Sequence, residues 1–235
     1  MRSALNDFKI SLQAVTALAT HILSETGAAL ADPNVLQRHE IQQCACPVLL
    51  TGYFESFLKD VVKAFVSALS NRGLPFASLP DRIKQVHFEG GGRVLLSLAK
   101  TLKRSASGST LFPHTTPEDV VFRLDSARAN PSGGYDILWE AFANTSANPG
   151  PDVVAGLLRD LNVQAPWPTI AAAAAENEST LTSRLGDLIV VRNACAHTGK
   201  MSPVPSPSKI IDYSDTLSKI AEGIVVVLEG ELAKY

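Results

Sequence analysis

At 235 residues the chain is long enough to bury a sizeable core as one domain, with or without an insertion. Its formal charge of −2 excludes a surface that is basic throughout, so any nucleic-acid binding must be local. The longest apolar runs, residues 170–175 and 224–228, are far too short to span a bilayer, and Asp7 and Lys9 interrupt any signal-peptide core. Cys44, Cys46 and Cys195 make no disulfide framework, so a cytoplasmic protein with no membrane association is expected.

Residues from about 3 to 30 predict one long helix, because Leu5, Phe8, Leu12, Val15, Leu18, Ala19 and Ile22 recur at three- and four-residue steps. Gly27 and then Asp32-Pro33-Asn34 stop it and start the next. The second helix is expected from about 34 to 70, kinked or divided at Pro47. Glu55 lies in its apolar half. Helical spacing allows either a surface pair with Lys59 or a carboxylate that holds an arginine from another helix.

Residues 71–175 are rich in Gly, Pro and Ser and predict short helices only. One runs from 82 to about 88, with Pro80-Asp81 before it and Gly90-Gly91-Gly92 breaking it; another covers 93–103. Further short helices are expected from Pro117, over 135–142 and over 152–161, and residues 171–175 would extend a helix. No alternating strand pattern and no internal repeat occurs. Arg82, Lys84, Arg93, Lys100, Lys103 and Arg104 face only Glu89 in the local sequence. They form either a solvated surface or a face that tracks phosphates. Residues 104–109 read as a loop.

Residues 176–198 predict a helix with Leu181, Leu185, Leu188, Ile189 and Arg192 on one stripe. Gly199 suits the position just past its end, and Pro203, Pro205 and Pro207 forbid continuation. The last helix is expected over 209–235, with Ile211, Leu217, Ile220, Ile224, Val225 and Leu228 inward.

The end of the 176–198 helix carries the chemistry: Val190-Val191-Arg192-Asn193-Ala194-Cys195-Ala196-His197. A charged group directly after Leu188-Ile189-Val190-Val191 is costly if buried unpaired, so the cluster is a tied-down joint or a site. Arg192-x4-His197 can act on RNA, which supplies its own nucleophile in the 2′-hydroxyl. An imidazole ordinarily titrates near neutrality, so a histidine here can move a proton, and the guanidinium of Arg192 can clamp phosphoryl oxygens. Asn193 lies four residues before His197 and can orient the imidazole or hold a phosphate oxygen. Arg192 and His197 sit about 140° apart on an ideal helix, so they converge only if the helix end distorts or a second chain helps. In the structural alternative Arg192 pairs with Glu55 or Asp187, and His197 caps a helix C-terminus.

Three pieces together resemble HEPN domains, specifically RiboL-PSP-HEPN or MAE_28990/MAE_18760-like HEPN nucleases. They are Tyr53-Phe54-Glu55-Ser56-Phe57-Leu58-Lys59-Asp60, the Leu181, Leu185, Leu188-Ile189 stripe, and Arg192-Asn193-x-x-Ala196-His197. The resemblance covers residues from about 35 to 70 and from about 150 to 230. It implies an all-α HEPN-like helical bundle over 1–235, with 71–150 an inserted or family-divergent, loop-rich middle region of short helices. It also implies a metal-independent endoribonuclease of toxin or antiphage effector type, working without cofactor. A homodimer would form the cleft, and an antitoxin or sensor subunit is a possible further partner. Arg192, His197 and Asn193 would be catalytic and Glu55 would support Arg192. RNA contacts are expected from Arg82, Lys84, Arg93, Lys100, Lys103, Arg104 and Lys200. The alternative is a non-catalytic HEPN module that binds RNA or protein.

A second R-x4-H, Arg82-Ile83-Lys84-Gln85-Val86-His87, lacks the Asn and precedes three glycines, which marks it as a decoy or a part of the basic face. Cys44-x-Cys46 invites zinc with His39 or Cys195, but the spacing is unusual for zinc and suits core cysteines. His21, His87 and His114 have no partners nameable from sequence. Gly90-Gly91-Gly92 lacks the Lys-Ser/Thr of a phosphate loop, and no G-x-S-x-G elbow occurs.

Overall fold

Apolar residues at helical spacing, punctuated by prolines at helix starts, give an all-α fold. In this computed structural model, residues 1–102, 115–133, 135–143, 148–198 and 203–235 are described. The helices are α1 (Arg2–Ser24), α2 (Thr26–Ala31), α3 (Pro33–Ser70), α4 (Asp81–Leu102), α5 (Pro117–Ala129), α6 (Pro151–Asp160), α7 (Pro166–Ala174), α8 (Glu178–Thr198) and α9 (Pro207–Leu232). Two 3-10 turns, Phe76–Ser78 and Trp139–Ala141, complete them. Two compact units divide the chain. None of the described helices is long and apolar enough to cross a membrane.

The first unit comprises Met1–Asp60, Thr145–Ala155 and Ala165–Val227. Its α1 buries Leu5, Phe8, Leu12, Val15, Ala19 and Ile22, as the spacing predicts. The single helix expected over 3–30 is two helices, because Glu25 leaves helical geometry and its carboxylate accepts a 3.0 Å hydrogen bond from buried His39. That bond holds the Glu25 carboxyl below its ordinary range against the opposing effect of burial. The rings of Phe8 and Phe57 stack with centroids 5.0 Å apart, and Phe54 lies 5.9 Å from Phe8. Pro47 does not divide α3. Its carbonyl accepts the Thr51 hydroxyl at 2.9 Å, and Cys46, Leu50 and Phe54, all buried, hold the helix together through the lost backbone bond.

α7 packs on α8 and ends at Ala175, which adopts a left-handed backbone (φ 51°). α9 approaches α7 so closely that a Cβ on Gly223 would sit 2.8 Å from the Ile170 carbonyl oxygen, so only glycine fits there. The Thr16 hydroxyl of α1 donates to Ser214 of α9 at 2.9 Å. Leu217, Ile220, Ile224 and Val225 are buried as expected, whereas Ile210 takes the inward place expected for Ile211.

The second unit comprises Val61–Asn144, Gly156–Gln164 and Leu228–Tyr235. Here Gly90-Gly91-Gly92 does not break a helix; α4 runs through all three. A Cβ on Gly90 would meet the Ala141 carbonyl oxygen at 2.3 Å, and one on Gly91 would meet Leu124 at 2.7 Å. The first two glycines therefore let a 3-10 turn and α5 press against α4, and that packing outweighs poor helix propensity. Residues 135–142, expected as a helix, hold only the Trp139–Ala141 turn. The segment before it is fixed by other bonds: the Leu138 amide donates to His87 Nδ1 at 3.4 Å and the Ile137 amide to Ser70 Oγ at 3.0 Å. α5 starts as expected, with a capping box between Thr116 and Asp119.

Gly90→Ala is expected to cost about 1–3 kcal/mol through the clash with Ala141. Gly92→Ala, whose Cβ meets nothing within 4 Å, is expected to gain about 0.5–1 kcal/mol. Urea unfolding checks both; a Gly90→Ala protein as stable as its parent would remove the close approach. His87 supplies a pH test. Burial, aided by the Arg123 charge, holds its imidazole at about 4 against an ordinary 6.5. The unfolded chain takes up this proton below 6.5 and the folded chain only near 4. Stability therefore falls by at most about 3 kcal/mol as pH drops through that window. His87→Gln is expected to flatten this part of the acid limb in denaturation curves taken from pH 7 to pH 4.

Candidate functional site at the end of helix α8

Leu181, Leu185, Leu188, Val191 and Cys195 are buried and hold one side of α8 against the core. The helix stays regular to Thr198, so the five-residue step from Arg192 to His197 turns about 140°. Arg192 is accordingly half-buried beside the core, and His197 is exposed in the last turn. Gly199, expected just past the end, lies outside the described residues.

Arg192 Nη1 donates to Asn193 Oδ1 at 3.0 Å. The same oxygen accepts from Asn148 Nδ2 at 2.7 Å. Arg192 Nε is buried with no acceptor, and among the described residues no carboxylate forms an ion pair with this guanidinium. The two acids that could have tied it down are engaged elsewhere. Asp187 accepts from the Tyr213 hydroxyl at 2.7 Å and from Lys209 at 2.9 Å. Burial raises the Asp187 carboxyl, but these two bonds outweigh it and the net shift is downward. Burial and the Asp187 contact together push the Tyr213 phenol up.

Glu55 pairs with Lys59 at 2.8 Å, the local partner that i,i+4 spacing offers, and the support expected from Glu55 for Arg192 is not in place among the described residues. Nor does a hydrogen bond there join Asn193 to His197. That leaves the Asn193 amide nitrogen and the imidazole open to a ligand.

Two features escaped the sequence. Asn148 precedes a Pro149-Gly150 turn, in which its carbonyl accepts the Gly150 amide at 2.7 Å; nothing in that turn signals a partner 45 residues away. Val190 is 64% exposed and lies seven residues before His197, on the same helical face.

Cys195, between Asn193 and His197 in sequence, turns inward against Cys44. Burial, with Cys44 beside it, pushes its thiol up to about 12, and burial alone pushes Cys46 up to about 11. Among the described residues no group of three or more His, Cys, Asp or Glu side chains is placed to hold a metal ion; His39 is taken by Glu25.

The second R-x4-H is structural. Arg82 bonds Asp160 and Gln85, and His87 is fully buried against the Tyr135 hydroxyl. Of the other cations expected on RNA, Lys84 pairs with Asp81 at 2.7 Å. Arg93 and Lys100 are exposed on α4, and Lys103, Arg104 and Lys200 lie outside the described residues.

The sequence profile of the RiboL-PSP-HEPN family matches residues 16–230. The chain belongs to that family. The match runs through residues 71–150, which carry no motif legible by eye. No curated protein and no solved structure matches the chain. A HEPN-type domain is a nuclease or an RNA-binding module.

All three thiols of this HEPN chain are buried, and two are raised far above neutrality. Cys44, Cys46 and Cys195 are therefore expected to resist Ellman's reagent in the native protein at pH 8 and to react fully in denaturant. Rapid native labelling of any one would contradict the packing of α3 on α8.

Proposed function

We propose that this protein is a metal-independent endoribonuclease of toxin or antiphage effector type, cutting RNA at Arg192, Asn193 and His197 in a homodimer. The observation that carries the reading is a guanidinium with no counter-charge among the described residues: Arg192 meets a neutral amide where a structural arginine would meet a carboxylate. A phosphodiester supplies the missing anion.

In the reaction the RNA 2′-hydroxyl attacks the adjacent phosphorus, the bond to the 5′-oxygen breaks, and a 2′,3′-cyclic phosphate and a 5′-hydroxyl result. One imidazole takes the 2′-hydroxyl proton. A second, from the other protomer, protonates the leaving oxygen. Arg192 stabilises charge that builds on the phosphoryl oxygens, and the Asn193 amide donates to one of them. The 140° divergence within one chain supports a composite cleft, since a second copy of α8 supplies what one helix cannot. Exposed Val190 and the open Cβ position of Gly186, on the same face as His197, fit helix-to-helix contact across a two-fold axis. The same divergence favours the second reading, a non-catalytic RNA-binding module, if the protein is a monomer.

Purified protein with total RNA in EDTA is expected to leave cyclic phosphate ends. Arg192→Ala and His197→Ala are each expected to lose about 10²–10⁴-fold in rate. Val190→Asp is expected to yield monomers by light scattering and to lose cleavage with them. RNA binding without cleavage selects the module, and full activity in either alanine variant ends the proposal.

A further inference from the structure

We infer that Asn148 is a positioning residue that anchors the Asn193 amide in the orientation Arg192 sets; this rests on the reading of residues 192–197 as the RNA-cleaving site. The inference comes from counting lone pairs. Asn193 Oδ1 has two, and both are taken: by Asn148 Nδ2–H at 2.7 Å and by Arg192 Nη1–H at 3.0 Å. Turning the amide over would set its NH2 against the Arg192 guanidinium, which can only donate, so Arg192 decides which end faces it, and Asn148 adds a second hold on that oxygen from outside the helix. Asn193 Nδ2 then faces away from both, with no hydrogen bond among the described residues, and both its protons remain for a phosphoryl oxygen.

With Asn148 removed, one donor is left to hold the oxygen. Arg192 and Asn193 are neighbours on one helix and can rearrange together, so the amide loses its external reference. Asn148 supplies that reference from a segment 45 residues earlier in the chain. It stands behind Asn193 and acts on the substrate only through it. Burial is partial at all three residues, so the bonds are neither bulk solvent contacts nor core packing.

The test is a double-mutant cycle on cleavage of a fluorescent single-stranded RNA oligonucleotide by the full-length protein. Asn148→Ala is expected to lower kcat about 10–100-fold with KM little changed. In an Asn193→Ala background the same change is expected to cost less than about twofold. Asn148→Ser, which keeps a donor, is expected to recover part of the loss, whereas Asn148→Asp, which presents a second acceptor to Oδ1, does not. Equal losses in both backgrounds would overturn the assignment.

A measurement independent of activity separates this inference from the proposed function. The side-chain NH2 resonances of Asn193, identified by their loss in Asn193→Ala, are expected to shift in Asn148→Ala while backbone resonances of α7 stay in place. If the parent cuts no RNA, the ribonuclease reading fails, and these resonances still decide whether Asn148 anchors the amide. Unmoved resonances in Asn148→Ala reject it.

Discussion

Arg192 brings a fixed positive charge to the edge of an apolar helix face and meets one carbonyl oxygen there, that of Asn193. A half-buried charge without a counter-charge is unfavourable, and truncation of such residues to satisfied or apolar ones commonly stabilises a fold. Tyr213 and Lys209 occupy Asp187, Lys59 pairs with Glu55, and Asn148 steadies the acceptor that the guanidinium meets among the described residues. The arrangement makes sense where an anionic ligand completes the site.

Under the proposed function, the regular helix calls for a ligand shared between chains. A proton carrier and a phosphate clamp must reach the same phosphorus, within hydrogen-bond distance of its oxygens. Five residues of undistorted α-helix aim them apart. Local unwinding would cure this within one chain, but α8 remains helical to Thr198. The proposed homodimer would resolve this by symmetry, bringing the guanidinium of one helix to the imidazole of its copy. Val190, 64% exposed on the His197 face, would lie within such a contact.

Much of this could be read from residue types in order. The apolar stripes of α1, α8 and α9, the proline-marked helix starts and the Arg192-to-His197 cluster all follow from periodicity and spacing. What could not be read was long-range. Gly90-Gly91-Gly92 looks like a helix breaker because propensity is local. Only the closeness of Ala141 and Leu124 shows why glycine is kept inside α4. The basic stretch on α4 looked nearly unopposed because Asp160, which neutralises Arg82, is 78 residues away. Asn148 was invisible for the same reason. Of the two readings that spacing allows for Glu55, the structure shows the local pair with Lys59.

The two R-x4-H copies form an internal control on what such a motif means. Both lie on helices, with identical spacing. In one, Asp160 neutralises Arg82, and His87 is sealed from solvent and held to an uncharged form at neutral pH. That pair can neither hold a phosphate nor exchange a proton with it. In the other, no acid pairs with the arginine among the described residues, and the histidine is exposed. Spacing puts two groups on a helix; chemistry then depends on whether the surroundings satisfy them or leave them wanting a ligand. The copy at Arg192 is left wanting, and its one neutral brace, the amide pair Asn193 and Asn148, orients donors without supplying the charge that a phosphate would bring.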